Sequence, residues 1–215
     1  MSRTICIMGE SGTGKTTSLR YLDPETTYIV DCDKKGLPWK AWRNDYSVDK
    51  LNYFQTDNPS TVMNIMAKIN KQENMAHIKT LVIDTINGVM VAEEMRRAKE
   101  QGYGKWTDLA QYVWEIFDFA LTMRDDLTVV IIAHAITDTD DNGIVFTHIR
   151  TNGRKLEKIV LESKLNVVLL ADCVDGNYVF HTKPDRSSVK TPIGMFYDEL
   201  IPNNVQLVLD ELADY

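Results

Sequence analysis

The sequence predicts an α/β domain in which a central, mostly parallel β-sheet is covered by helices on both faces. Four short runs, at residues 4–8, 27–30, 81–83 and 128–133, are continuously apolar and rich in β-branched residues, as strands buried on both sides are. A glycine-rich segment follows the first run, and an amphipathic helical pattern precedes the fourth. Strands that alternate with helices in this way pair in parallel through crossover connections.

The first run leads through glycines into a pattern typical of a helix. Residues 9–16 match G-x-x-x-x-G-K-[ST] in full. In this motif the backbone N–H groups and the helix N-terminus converge on phosphate oxygens, Lys15 supplies a positive charge, and Thr16 offers a hydroxyl to magnesium. The sequence therefore predicts a nucleotide site. Its predicted contacts are Gly9, Glu10, Ser11, Gly12, Thr13, Gly14, Lys15, Thr16 and Thr17.

Acidic residues end the second and third runs. Asp84 follows residues 81–83 directly, and in P-loop proteins a carboxylate at this place holds the magnesium ion and its water; helix capping is the alternative. Asp31 and Asp33 follow the second run, and an acceptor there is placed to position the water that attacks the γ-phosphate. The sequence leaves open which of the two does so, or whether both belong to a solvated acidic turn.

The fourth run ends at His134, where a polar side chain is placed to contact the γ-phosphate and sense its presence. A purely structural histidine is the alternative.

A crossover helix is predicted between residues 91 and 126, before this run, because apolar residues there recur three and four positions apart. We expect a charged, exposed helix over residues 92–100. The predicted buried face of the crossover helix consists of Tyr112, Val113, Ile116, Phe117, Ala120 and Leu121.

Shorter strands with turn signals between them follow at residues 143–147, 165–170 and 178–181. This spacing predicts a mixed or antiparallel extension of the sheet toward the C-terminus. We expect one domain over residues 1–196 and an acidic C-terminal segment over residues 197–215. That segment fits a protein-docking or autoinhibitory tail as readily as a solvated one.

Composition limits the classes of function. The chain has 215 residues, 44% of them hydrophobic, and its formal charge is -7 at pH 7, so any site for a polyanion must be local. Its odd number of cysteines (Cys6, Cys32 and Cys173), without C-x-x-C spacing, favours buried thiols in a reducing compartment over disulfides or zinc. With no secretory signal and no membrane-spanning apolar stretch, we expect a cytoplasmic protein.

The order and spacing of residues 9–16, 31–33, 81–84 and 131–134 resemble the RecA-like branch of P-loop ATPases. They are most similar to short phage-encoded nucleotide-binding proteins with a single RecA-like core, some of which act in single-strand annealing or recombination. The resemblance covers residues 3–196. It implies a RecA-like P-loop NTPase fold, ATP as substrate, Mg2+ held by Thr16 and Asp84, and the cytoplasm of a host cell as the location if the protein is phage-encoded.

The resemblance also implies roles for single residues. Asp33 stands where the family has a water-activating Glu and is one methylene shorter, and His134 stands where the family has a sensor Gln. Lys183 and Arg186 lie in the segment whose basic residues reach the γ-phosphate of the next subunit, which implies a homo-oligomer. An ordinary solvated loop is the other interpretation of residues 181–186.

The resemblance places a mobile DNA-contacting loop at residues 136–164. Between residues 150 and 164 the chain has five basic residues against two acidic ones, enough to follow a phosphate backbone, although a helix with a basic exposed face would look the same. The predicted contacts to single-stranded DNA are Arg150, Arg154, Lys155 and Lys158.

Of three candidate functions, two fit these observations. The first is an ATPase with active sites completed between subunits that binds single-stranded DNA and supports phage-type recombination, annealing or replication. The second is a slow, nucleotide-dependent scaffold or a packaging or replication accessory ATPase that acts on a protein partner. A nucleoside or nucleotide kinase is disfavoured because no compact Arg-rich lid is visible. GTP is disfavoured because the nearest match to a guanine-reading N-K-x-D motif, at residues 70–73, ends in Glu.

Overall fold

A computed structural model describes residues 3–102, 104–139, 143–152, 156 and 158–214 of the chain. Nine strands run through these residues. They are β1 (Arg3–Gly9), β2 (Thr27–Asp31), β3 (Tyr53–Gln55), β4 (Thr80–Asp84), β5 (Thr128–Thr139), β6 (Val145–Ile149), β7 (Val167–Val174), β8 (Asn177–His181) and β9 (Leu200–Pro202). The α-helices described are α1 (Pro59–Lys71), α2 (Ile86–Arg96), α3 (Gly104–Thr122) and α4 (Val205–Ala213).

The strands form one sheet in the order β3-β2-β4-β5-β1-β7-β8-β9, with β6 paired to β5. The four apolar runs predicted as the parallel centre are β2, β4, β5 and β1, which are neighbours and pair in parallel. The pairs β7–β8, β8–β9 and β5–β6 are antiparallel. The predicted α/β fold with a mostly parallel sheet and an antiparallel extension is therefore confirmed.

Two hydrophobic layers cover the sheet. The helices α1, α2 and α3 pack on one face, where Val62, Ile83, Val113 and Phe117 belong to a single buried cluster. The other face is covered by α4 and by the segment after the phosphate loop. Because residues alternate sides along a strand, Cys6 of β1 lies in the first layer, whereas its neighbours on the strand lie in the second.

The crossover helix is confirmed as α3, and five of the buried residues that we predicted are among its core contacts or pack against them. The charged helix begins earlier than expected, at Ile86, because the Thr85 side chain accepts a hydrogen bond from the N–H of Gly88 and caps the helix there.

The segment after the phosphate loop differs from the prediction. A five-residue 3-10 helix, Thr17–Tyr21, stands where we expected an α-helix. Thr16, Thr17 and Ser18 carry hydroxyl side chains that compete for backbone hydrogen bonds and have low helix propensity. Pro24 follows closely and disfavours helical backbone at Asp23, so the helix has no room to lengthen.

The C-terminal residues add to the second layer. β9 pairs antiparallel with β8, and α4 begins at the cap residue Asn204, whose side chain accepts from the N–H of Gln206. Val205, Val208 and Leu212 of α4 are buried against the sheet. Asp210 and Glu211 of this segment therefore lie on a helix whose opposite side is part of the core, whereas Asp198 and Glu199 precede β9.

Cys6 and Cys32 are buried free thiols, as expected, but Cys173 is exposed. The prediction of a third buried thiol was wrong because β7 extends beyond its neighbour β1, and position 173 pairs only with Tyr178 of β8.

No helix in the described part of the chain has the length and apolarity that crossing a bilayer requires.

Two adjacent positions of α4 test its packing. Val208 is fully buried and Leu207 is 42% exposed. We expect Val208→Asp to lower the free energy of unfolding by at least about 3 kcal/mol, because it places a charge in the core, and Leu207→Asp to change it by less than about 1 kcal/mol. Urea unfolding followed by circular dichroism measures both. Equal small effects would show that α4 does not pack on the sheet in solution.

Candidate functional site

The carboxyl ends of the central strands meet at one edge of the sheet. Gly9 of β1 is in register with His134 of β5, and Asp31 of β2 is in register with Asp84 of β4. The phosphate loop, both acidic positions and the histidine are thereby brought to the same edge by strand pairing alone. In open α/β sheets this edge is where ligands bind.

A cavity of about 990 Å³ opens at this edge. Its walls come from four parts of the chain: the phosphate loop with the 3-10 helix, the loop after β2, the middle of β5, and the β7–β8 turn with β9. The lining residues are Ser11, Gly12, Gly14, Lys15, Thr16, Thr17, Arg20, Tyr21, Lys35, Gly36, Leu37, Pro38, His134, Gly176, Asn177, Tyr178, Pro202, Asn203 and Asn204.

Glycine is required at two points of the phosphate loop. Gly14 has a φ of 82°, in the region that favours glycine. At Gly9 a Cβ would lie 2.6 Å from the carbonyl oxygen of Ala171 on β7.

Of the nine predicted nucleotide contacts, six line the cavity, whereas Gly9, Glu10 and Thr13 do not. The Thr13 hydroxyl donates to the carbonyl of Glu10 and closes the loop on itself.

Lys15 lies inside the loop rather than extending into solvent. Its side-chain nitrogen donates to the carbonyl oxygens of Gly9 at 2.8 Å and Glu10 at 2.6 Å, and the residue is 6% exposed. Desolvation lowers the pKa of Lys15 to about 8, although the negative charge of Asp84 opposes the shift. A phosphate anion beside this ammonium would supply the charge compensation that the loop carbonyls do not.

Thr16 and Asp84 are in direct contact. The Thr16 hydroxyl donates to Asp84 Oδ2 at 2.7 Å, although β5 lies between β4, which ends at Asp84, and β1, which precedes the phosphate loop. Asp84 is 1% exposed. Burial raises the pKa of its carboxyl to about 6, and the positive charge of Lys35 and the hydrogen bond from Thr16 oppose that rise.

The Thr16 and Asp84 pair fits a magnesium ion. Among the described residues no group hydrogen-bonds Asp84 Oδ1, which is buried, so a hard cation or its water would satisfy it. Mg2+ usually takes one or two protein oxygens and completes its shell with water and substrate phosphates. The described part of the chain holds no cluster of three or more His, Cys, Asp or Glu side chains, so this pair is a partial ligand set of that kind rather than a closed cage.

Asp31 and Asp33, which the sequence left undistinguished, have different surroundings. Asp31 is buried, and its Oδ2 accepts from the Tyr53 hydroxyl at 2.6 Å, from Gln55 Nε2 at 3.0 Å and from the N–H of Gly36 at 2.8 Å. These bonds join β3 to the loop after β2. Oδ2 of Asp31 therefore holds that loop in place, whereas its Oδ1 is buried and has no hydrogen-bond partner among the described residues.

Asp33 stands at the start of the same loop, beside the N-terminus of α2. Its Oδ1 accepts from the Thr85 hydroxyl at 3.0 Å, and its Oδ2 forms an ion pair with Lys35 at 2.7 Å. A Cβ at Gly88 would lie 2.5 Å from Asp33 Oδ1, so glycine at the first turn of α2 makes room for the carboxylate. The side chain remains 20% exposed, which leaves it accessible to water.

His134 lines the cavity and is joined to the basic segment by its backbone. Its N–H donates to Asn87 Oδ1 at 2.7 Å, and Asn87 Nδ2 donates to the carbonyl of Arg150 at 2.7 Å. The N–H of Arg150 in turn donates to the carbonyl of His134 at 2.8 Å. Burial, and then the charge of Lys15, lower the pKa of His134, which favours the neutral imidazole.

The sequence missed the part of the cavity opposite the phosphate loop. Tyr178 is 54% exposed. Its ring lies so close to Gly14 that a Cβ at this position would be 2.9 Å from the ring and 3.2 Å from the side-chain oxygen of Asn203. Tyr21, in turn, has the Arg20 guanidinium 4.5 Å from its ring centroid. Tyr178 and Asn203 belong to no motif, because they reach the loop through strand pairing late in the chain, and Tyr21 and Arg20 lie just beyond the end of the motif.

Lys183 and Arg186 are not brought to this cavity. Lys183 donates to the carbonyl of Tyr197 at 2.9 Å and borders a separate cleft of about 540 Å³. Arg186 is exposed, with a positive φ of 47°. Within one chain neither residue lines the wall around Lys15, as expected for residues that act on a neighbouring subunit or for a solvated loop.

The predicted DNA contacts are described only in part. Arg150 and Lys158 are exposed, and Arg154 and Lys155 lie outside the described residues. Lys164, counted with them in the basic segment, forms an ion pair with Asp118 at 2.6 Å and lies 3.6 Å from the centroid of the Trp114 ring. Its charge is therefore largely compensated within the fold.

The comparison with known proteins concerns most of the chain. A family model described as an AAA domain matches residues 1–190. The matched region contains the phosphate loop, Asp33, Asp84, His134 and the segment from Lys183 to Arg186, and it ends before β9 and α4. No curated protein matches the sequence significantly.

Asp84 should destabilise the fold in the absence of nucleotide and metal. Its folded pKa of about 6 lies above the unfolded value of about 3.9, so the native state binds the extra proton and stability falls as pH rises from about 4 to about 6. We expect Asp84→Asn to raise the free energy of unfolding by about 2 to 3 kcal/mol at pH 7.5 in EDTA, and by little near pH 4.

Denaturant unfolding at both pH values measures this difference, with Asp49→Asn as a control because Asp49 is exposed. A loss of stability on Asp84→Asn at pH 7.5 would contradict the expectation that burial of this carboxylate is unfavourable in the empty site.

Proposed function

We propose that this chain, which belongs to the AAA domain family, is a Mg2+-dependent ATPase whose nucleotide site is the cavity at the carboxyl edge of the sheet. Family membership indicates nucleotide binding and NTP hydrolysis in general. The observation that carries the proposal is the hydrogen bond from Thr16 to the buried Asp84, directly beside Lys15 in the phosphate loop. It joins a phosphate-binding group and a metal-binding carboxylate in one place.

The triphosphate lies along the phosphate loop, where backbone N–H groups and Lys15 receive its oxygens. Thr16 and Asp84 hold magnesium, which neutralises charge on the phosphate oxygens when it is bound. The nucleoside extends toward the open part of the cavity. There the exposed rings of Tyr21 and Tyr178 offer aromatic faces to a base.

Asp33 is the residue that orients the attacking water. Asp31 is 1% exposed and its Oδ2 accepts three hydrogen bonds from the surrounding fold, whereas the Asp33 side chain is 20% exposed, which supports Asp33 for this role. Thr85 fixes one oxygen of the Asp33 carboxylate, and the other oxygen pairs with Lys35, which lines the cavity. A positioned carboxylate of this kind draws the proton from water as the bond to phosphorus forms.

His134 contacts the γ-phosphate and conveys its presence to the basic segment. The hydrogen bonds that link the His134 N–H through the Asn87 side chain to the Arg150 carbonyl support this role, since a shift of the strand at His134 would move the start of the segment. Single-stranded DNA is the partner, held by Arg150, Arg154, Lys155 and Lys158, and the activity serves phage-type recombination, annealing or replication. Lys183 and Arg186 complete the site of the next subunit.

A protein partner is the second candidate. Two apolar side chains near the C-terminal end of the sheet, Ile193 and Tyr197, are 101% and 93% exposed, which is typical of a surface that contacts another protein. In this function the chain is a slow accessory ATPase, and DNA does not alter its rate.

Steady-state ATP hydrolysis with Mg2+ tests the proposal. We expect Lys15→Ala to lower kcat/KM by at least about 100-fold because it removes a fixed positive charge from the transferred phosphoryl group. Asp33→Asn should lower kcat by about 100-fold or more while nucleotide still binds. Lys99→Ala, at an exposed position, should retain the wild-type rate. Full activity of Lys15→Ala would refute the assignment of this site.

DNA dependence distinguishes the two candidate functions. If single-stranded DNA is the partner, it should raise the ATPase rate of the wild-type chain at low salt, and the effect should fade as salt is added because counterion release is lost. Arg150→Ala should weaken the stimulation without changing the rate in the absence of DNA. A rate that is indifferent to DNA at every salt concentration would favour the protein partner.

A further inference from the structure

The loop after β2 presents two adjacent lysines in different directions. Lys34 has a positive φ of 57° and pairs with Asp57 at 2.6 Å. Lys35 pairs with Asp33 at 2.7 Å. The N–H of Gly36, bound to the buried Asp31 carboxylate, fixes the far end of the loop. The fold therefore sends Lys34 away from the cavity and Lys35 toward it.

Lys35 is a wall residue of the nucleotide cavity, together with Lys15 of the phosphate loop. The two ammonium groups are near enough that the charge of Lys35 adds to the desolvation that lowers the pKa of Lys15. Its charge also counteracts the rise in the pKa of Asp84. Two cations that face one cavity from opposite loops repel each other in its empty state and favour a polyanion between them.

Lys35 is free to move between partners in a way that Lys15 is not. Its side chain is 47% exposed, whereas Lys15 is buried and is held by two loop carbonyls. A lysine has a flexible four-carbon stem and three N–H donors. It is therefore suited to exchange one oxyanion for another without a change in the backbone.

We propose that Lys35 is a second phosphate-binding cation that pairs with Asp33 in the empty site and transfers to the γ-phosphate of ATP, which releases Asp33 to orient the attacking water. This inference rests on the proposed function. ADP has no γ-phosphate, so in the ADP complex Lys35 stays with Asp33. The ion pair thus makes the water-orienting carboxylate available only when a triphosphate is bound.

Nucleotide affinity tests this role without depending on turnover. Binding of the non-hydrolysable analogue adenylyl imidodiphosphate and of ADP, both with Mg2+, is measured by calorimetry for the wild type, Lys35→Met and Lys34→Met. We expect Lys35→Met to weaken binding of the analogue by about tenfold, which corresponds to about 1.4 kcal/mol, and binding of ADP by less than about twofold. Lys34→Met, the matched control outside the cavity wall, should leave both affinities unchanged.

Asp33→Asn provides the second half of a double-mutant cycle. It removes a negative charge near the γ-phosphate in both backgrounds and, where Lys35 is present, also the partner that competes for it, so the analogue should bind more tightly in both backgrounds and by a severalfold larger factor in the Lys35 background. Lys35→Arg retains a cation and should retain the preference for the triphosphate. Unfolding midpoints of each variant confirm that it is folded.

The outcomes separate this inference from the proposed function. An equal loss of analogue and ADP affinity in Lys35→Met, or no loss of either, would overturn the role of Lys35 alone. The same is true of an Asp33→Asn effect that is equally large with and without Lys35. A wild-type chain that binds the analogue but hydrolyses no ATP would overturn the proposed function, and one that binds neither nucleotide would overturn both.

Discussion

The hydrogen bond between the Thr16 hydroxyl and the Asp84 carboxylate is the contact on which the candidate site depends. It joins the phosphate loop, which follows β1, to the end of β4, and the intervening β5 sets the distance between them. Asp84 is buried in a surrounding that disfavours its charge. A buried carboxylate with one oxygen lacking a partner in the described part of the chain is energetically unfavourable, and a divalent cation compensates for such a charge. The unfavourable contribution of the buried Asp84 carboxylate to the free energy of unfolding is therefore compensated when a divalent cation binds.

Around this contact, buried polar residues hold the rest of the cavity in place. Asp31 fixes the loop that carries Asp33 and Lys35, and Asn87 fixes the backbone of β5 at His134. Both residues are largely buried: Asn87 binds two backbone groups, and Asp31 binds one backbone N–H and two side chains. Each connects the site to a more distant element, since Asp31 reaches β3 and Asn87 reaches Arg150. The site is thereby built into the fold at both sides of the phosphate loop.

The sequence predicted the parts of this arrangement that local patterns encode. The four central strands, the phosphate loop and Asp84 follow from apolar runs and one motif, because a strand buried on both faces and a glycine loop leave strong signals. Tyr178, Asn203 and Asn87 left none, since they reach the site only through the antiparallel extension and the start of α2. The proposed choice of Asp33 over Asp31 rests in part on the contacts of Asp31 with Tyr53 and Gln55 of β3, a three-residue edge strand too short for periodicity to reveal. The 3-10 helix after the loop was missed because the motif outweighed the low helix propensity of three consecutive hydroxyl residues.

The most direct test of the account is a crystal structure of the chain with Mg2+ and adenylyl imidodiphosphate. The account predicts the triphosphate along residues 9–17, a magnesium ion on the Thr16 hydroxyl with Asp84 beside it, and Asp33 on the side of the γ-phosphate away from the rest of the nucleotide. A nucleotide bound outside this cavity, or bound in it with magnesium remote from Thr16 and Asp84, would contradict the central claim.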